Sequence, residues 1–130
     1  MNSPDAERPT TVVLVVEDEK SLLEITTLRL RELNCRVIGA GDPEEALTKY
    51  DEHQAEIDFV FTDLRMGGMG GQGLIEHLIA RRPEVKIVAT SALLDELDSL
   101  RGKWGNRVRM LLKPYSVEEL KVLLAVEGAV

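Results

Sequence analysis

The chain has almost no cysteine: Cys35 stands alone among 130 residues, so it cannot close an intrachain disulfide. Long apolar runs are missing too. No stretch reaches the roughly 18 residues that a membrane-spanning helix needs, and no charged segment followed by an apolar one opens the sequence. Aromatic residues make up only 4%, and Val, Ile, Leu and Ala carry the apolar content, as in an ordinary α/β domain. Positive charge is in deficit, because 16 basic against 23 acidic side chains leave a formal −7. Such a field repels duplex nucleic acid unless a local basic patch overrides it, which argues against direct DNA binding. Together these absences point to a cytoplasmic protein without membrane contact, and the length to a single domain.

What is present is regular. Residues 1–10 are polar, carry Pro4 and Pro9, and are expected to form a flexible tail ahead of a domain spanning 11–130. Thr11–Val16 (TVVLVV) is a β-branched run of the kind a central parallel strand shows when both its faces are covered. Leu22, Ile25, Leu28, Leu30 and Leu33 then predict a helix from Lys20 to Leu33, with Arg36–Ala40 as a second strand. Asp42-Pro43-Glu44-Glu45 is a helix start in which Asp42 caps, Pro43 takes the first helical position and Glu45 completes a capping-box-like pair. This second helix runs to Gln54. Ile57–Thr62 predicts a third strand ending at Asp63, a glycine-rich loop follows over Leu64–Gly71, and a third helix carries Leu74, Ile75, Leu78 and Ile79 before Pro83. Val85–Thr90, Leu94–Trp104 and Val108–Leu112 read as strand, helix and strand, and Ser116-Val117-Glu118-Glu119 caps a last helix.

Five strands alternating with five helices predict a doubly wound, flavodoxin-like (βα)5 fold: a parallel sheet of order 2-1-3-4-5 with helices on both faces. Ligands of such sheets bind beyond the carboxyl ends of the strands, where the strand order reverses. Asp18, Asp63, Ser91 and Lys113 each fall at one of those ends. Glu17 and Asp18 beside Asp63 put three carboxylates together, which repel one another unless an oxygen-preferring divalent cation neutralises them; Mg²⁺ fits best. A carboxylate nucleophile next to such a cation suits attack on phosphorus, with Lys113 offsetting charge on the transferred group and the Ser91 hydroxyl donating to one of its oxygens.

The segments VVLVVEDE, FTDLRMGGMGG, VATSA and LLKPY, spaced 63 − 18 = 45, 91 − 63 = 28 and 113 − 91 = 22, resemble the signature segments of response-regulator receiver domains from Thr11 to Ala125. The resemblance implies that Asp63 accepts phosphate from a phosphohistidine of a sensor histidine kinase or histidine phosphotransfer protein. It implies Mg²⁺ held by Glu17, Asp18, Asp63 and the backbone carbonyl of Arg65, and a cis Lys113–Pro114 bond. Any catalysis is then self-directed, transferring phosphate to Asp63 and releasing it again. The helix 4/strand 5/helix 5 face, with Arg101, Lys103, Arg107, Arg109, Trp104 and Tyr115, is the implied surface for a downstream protein or a homodimer.

The sequence also departs from that pattern. Gly67 stands where the family usually has proline, inside Gly67–Gly71, which predicts a looser loop. Met110 replaces a common aromatic, so a softer repacking is expected in place of an aromatic swing. Arg65 and Leu93 occupy positions that tune dephosphorylation in the family. A pseudo-receiver that keeps the fold without using phosphate is the alternative reading. A haloacid-dehalogenase-like phosphatase needs an aspartate where Arg65 stands, and Glu-Asp-Glu after the first strand opposes an FMN phosphate. The match of Gly68–Gly73 to a dinucleotide fingerprint lacks the acidic residue about 20 positions on. His53 and His77 read as solvated helix residues, Cys35 as a small core residue, and Thr90 as the structural neighbour of Ser91.

Overall fold

A computed structural model describes residues 10–126. Apart from Thr10, the expected tail lies outside the described residues, as do residues 127–130. The run Thr11–Val16 forms strand β1, and its alternation serves two cores at once. Val13 and Val15 face one layer, whereas Val12, Leu14 and Val16 face the other. Both faces of β1 are therefore apolar, as a strand in the middle of a parallel sheet requires.

The remaining elements are helix α1 (Lys20–Glu32), β2 (Cys35–Ala40), α2 (Pro43–His53), β3 (Phe59–Asp63), α3 (Gly70–Arg81), β4 (Ile87–Ser91), α4 (Leu94–Trp104), β5 (Arg109–Leu112) and α5 (Val117–Val126). The sheet has the order β2-β1-β3-β4-β5 with every pairing parallel, which is the flavodoxin-like arrangement predicted. Ala46, Tyr50, Leu74, Ile75, Leu78, Leu97 and Leu100 bring α2, α3 and α4 onto one face of the sheet. Leu30, Leu120, Leu123 and Leu124 bring α1 and α5 onto the other. Cys35 is buried in that second core, as expected of a small apolar side chain.

Several boundaries differ from those predicted, each for a local reason. β3 starts at Phe59 because Asp58 zips to β1 partly through its side chain: Oδ2 accepts from the Val12 N–H at 2.7 Å while the Asp58 N–H donates to the Val12 carbonyl at 2.8 Å. Val85 is buried yet belongs to the turn before β4, its N–H donating to the Arg82 carbonyl. β4 in turn reaches Ser91, one residue further than the periodicity suggests. The short 3₁₀ turn Gly105–Arg107 delays β5 to Arg109.

The caps follow the sequence more closely. Asp42 accepts from the Glu45 N–H at 2.7 Å, and the Glu45 carboxylate returns to the Gly41 N–H at 2.7 Å, one residue before the cap itself. At α5 the box closes fully, with Ser116 Oγ accepting from the Glu119 N–H at 3.0 Å and Glu119 accepting from the Ser116 N–H at 3.1 Å.

Helix α3 begins at Gly70, inside the segment predicted as loop. The Gly71 N–H donates to the Leu64 carbonyl at 3.2 Å, and a Cβ at Gly71 would lie 2.5 Å from the Asp63 carbonyl oxygen and 2.6 Å from Leu64 Cα. Only glycine lets the helix start so close to the end of β3. The segment is thus not uniform: Gly68 has φ +67°, whereas Gly67 has open space around it.

Candidate functional site

Three strand ends are drawn one residue past their elements by ladder hydrogen bonds. The Glu17 N–H donates to the Ala40 carbonyl at 3.1 Å, the Leu64 N–H to the Thr90 carbonyl at 2.9 Å, and the Lys113 N–H to the Ser91 carbonyl at 2.8 Å. These bonds fix the backbone on either side of the sheet edge where β1 and β3 sit together, so the side chains of Glu17, Asp63 and Lys113 meet there. Glu17 and Asp63 are buried, at 6% and 9% exposure, while Asp18 is open to water.

Lys113 Nζ lies 3.4 Å from Glu17 Oε1 and 3.5 Å from Asp63 Oδ1. One carboxylate oxygen from each of Glu17, Asp18 and Asp63 lies within 4.8 Å of the others. Burial pushes the Asp63 carboxyl above its ordinary pKa, against the opposing influence of Lys113 and of the Arg65 and Leu64 N–H groups. Burial likewise raises Glu17, opposed first by a hydrogen bond from the Glu19 N–H and reinforced by the charge of Asp63. Burial alone would lower the Lys113 ammonium, but Asp63 and Glu17 raise it above the ordinary lysine value. The site therefore holds more negative charge than its lysine offsets. Hard carboxylate oxygens, with one carboxylate exposed so that a cation can retain waters, are a donor set that fits Mg²⁺.

Of the predicted site residues, the structure brings Glu17, Asp18, Asp63 and Lys113 together. Ser91 sits elsewhere. As the residue after Thr90 it faces the α4 side of the sheet, where its hydroxyl donates to the Glu96 carboxylate and accepts from the Leu93 N–H at 2.9 Å. Thr90, in register with Asp63, lines the recess that also holds Glu17, Asp63, Lys113 and Tyr115. The Arg65 side chain points to Glu96, with Nε 3.3 Å from Oε2. The Lys113–Pro114 bond is cis.

Thr90 and Glu96 were not among the predicted site residues. Strand alternation shows that Thr90 and Ser91 face opposite ways but leaves open which faces the acidic pocket. Glu96, in the first turn of α4, reads from sequence as part of a mixed, solvated charged surface with Asp95, Asp98 and the nearby arginines.

Tyr115 lies edge-on to Phe61, with ring centroids 6.0 Å apart, beside the acidic cluster. Trp104 packs against the core under Lys103, whose Nζ is 5.6 Å from the ring centroid. Lys103 pairs with Glu76 and Arg101 with Asp98, so much of the basic cluster near α4 is answered locally. His53 is bound to Glu56 at 2.8 Å. Among the described residues, no helix is long and apolar enough to cross a membrane.

Comparison with known proteins agrees with this geometry. The family model described as "Response regulator receiver domain" matches residues 13–125. The protein described as "Probable transcriptional regulator ycf27" of Guillardia theta is 34% identical over 84% of this chain and 42% of its own length. The sensory transduction protein RegX3 of Mycolicibacterium smegmatis is 34% identical over 85% of this chain and 47% of its own length. The chain thus spans about half the length of the curated relatives it matches. Among solved structures, a response regulator receiver domain protein of Clostridium thermocellum superposes with a TM-score of 0.84 at 22% identity, covering 90% of this chain and 93% of that one. With its sheet order, acidic strand-end cluster and match over 13–125, the chain belongs to the response regulator receiver domain family of two-component systems.

Proposed function

We propose that this domain, over residues 11–130, is a phosphorylation switch in which Asp63 takes a phosphoryl group from a phosphohistidine of a sensor kinase or phosphotransfer protein. The observation that carries the reading is Lys113 Nζ standing 3.4 Å from Glu17 and 3.5 Å from Asp63 at the sheet edge, with Asp18 completing the carboxylate cluster. In the transfer, an Asp63 oxygen forms a bond to phosphorus as the phosphorus–nitrogen bond breaks, and the imidazole leaves with its electron pair and takes up a proton. Glu17, Asp18, Asp63 and the Arg65 backbone carbonyl would hold Mg²⁺, which neutralises the carboxylates and polarises a phosphoryl oxygen. Lys113 is already poised beside Asp63 to offset charge on the transferred group, and Ser91 supplies a hydroxyl donor once it turns toward the site.

A phosphohistidine donor of this kind fits a cytoplasmic location. The net charge of −7 favours output by protein contact over direct contact with DNA. The β5/α5 side offers a groove for that contact, lined by Met110, Leu111, Val122 and Leu123, with Val122 66% exposed. Incubation with Mg²⁺ and acetyl phosphate, followed by intact mass measurement, tests the switch. An adduct of about 80 Da on the wild type, absent from Asp63→Asn, is the expected result. Absence of any adduct with acetyl phosphate and with kinases alike would leave the pseudo-receiver reading.

A further inference from the structure

We propose that Glu96 is a positioning residue that, together with Arg65, latches the Ser91 hydroxyl away from Asp63 and so sets how readily Asp63 is phosphorylated. The inference rests on the phosphoacceptor reading of Asp63. A serine hydroxyl has one proton to give. In this structure that proton goes to the Glu96 carboxylate, while the Ser91 oxygen accepts from the Leu93 N–H at 2.9 Å. Ser91 is fully buried, and a hydroxyl bonded to a carboxylate is held more firmly than one bonded to a neutral acceptor. So long as it is made, the hydroxyl has no proton to offer a phosphoryl oxygen at Asp63.

The second carboxylate oxygen of Glu96 faces Arg65 Nε at 3.3 Å. Arg65 lies two residues after Asp63, so the latch ties the loop behind the phosphoacceptor to the first turn of α4. Its two ends differ in strength. The Arg65 side chain is 67% exposed and its ion pair is screened by water, whereas at the other end the Ser91 donor is fully buried. Negative charge arriving on Asp63 competes with Glu96 for the guanidinium, which loosens the outer end first. A rotation of Ser91 about χ1, at the last position of β4, then carries its hydroxyl over the sheet edge toward the phosphoryl group.

The test is a double-substitution cycle read by the initial rate of adduct formation with Mg²⁺ and acetyl phosphate. Glu96→Ala removes the acceptor and is expected to raise the rate by about 10-fold or more, the lower end of what one charged hydrogen bond contributes. In a Ser91→Ala background the same substitution should change the rate by less than about 2-fold. Glu96→Gln, whose carbonyl still accepts from Ser91 but without the charge, should raise the rate by less than Glu96→Ala does. If Glu96→Ala does not fold, Glu96→Met repeats the comparison with a helix-favouring apolar side chain. An unchanged rate in Glu96→Ala overturns the latch, as does an equal rise with Ser91 absent, which would make it an effect of charge alone. If neither wild type nor Glu96→Ala gains an adduct, the phosphoacceptor reading fails and the latch with it.

Discussion

Lys113 Nζ lies 3.5 Å from Asp63 Oδ1, close enough for the lysine to compete with any cation drawn to the same carboxylate. Removing it leaves the acidic cluster uncompensated on that side. Lys113→Met is therefore expected to bind Mg²⁺ about 3- to 10-fold more tightly than wild type, while taking phosphate from acetyl phosphate more slowly. Calorimetric titration reads the first effect and intact mass the second. An unchanged Mg²⁺ affinity would show that the lysine and the cation do not share Asp63.

The raised pKa of Asp63 fixes the sign of a pH effect on stability. A carboxyl whose pKa is higher in the folded state than in the unfolded one favours folding at low pH, and that contribution is lost as pH rises through the folded value. Asn mimics the protonated form. In Mg²⁺-free buffer, Asp63→Asn should melt above wild type at neutral pH, with the gap closing as pH falls through the raised folded value and gone once it is below the ordinary aspartate range. A gap that widened on acidification would contradict the assigned direction.

Asp18 is exposed and its carboxylate belongs to the cluster, so its two contributions separate cleanly. Asp18→Ala should change the Mg²⁺-free melting behaviour by no more than about 0.5 kcal/mol, as for surface positions generally. It should also lose most of the stabilisation that millimolar Mg²⁺ gives the wild type. Thermal melts with and without Mg²⁺ make both comparisons, and full retention of the Mg²⁺ effect would remove Asp18 from the ligand set.

Two neighbouring glycines should respond oppositely to alanine. At Gly71 a methyl would press on the backbone of Asp63 and Leu64 at 2.5–2.6 Å, which should cost about 2–3 kcal/mol. At Gly67 nothing lies within 4 Å of a Cβ and φ is not positive, so alanine should stabilise by about 0.4–1 kcal/mol through the unfolded chain. Urea denaturation of the two variants distinguishes these outcomes.

Much of this was legible in the chain because strong local patterns agreed with the fold. The β-branched Thr11–Val16 run announced a strand covered on both faces, and the Ser116–Glu119 box marked the start of α5. Glu17, Asp18, Asp63 and Lys113 could be grouped because strand-end positions in a parallel sheet converge whatever the side-chain packing. Ser91 was different, since its surroundings depend on which way β4 turns its last two residues and on a carboxylate five positions on in α4. Gly71 was misjudged as loop for a related reason. Composition shows glycine, whereas the contact that demands it lies between the backbones of α3 and β3.

The alternation at the end of β4 has a wider consequence. Thr90 opens onto the acidic recess and Ser91, its neighbour, onto the layer containing α4. The sheet edge is therefore a frontier between two compartments, and one peptide unit of β4 borders both. A charge gained on one side of that edge is one residue away from a hydroxyl held on the other.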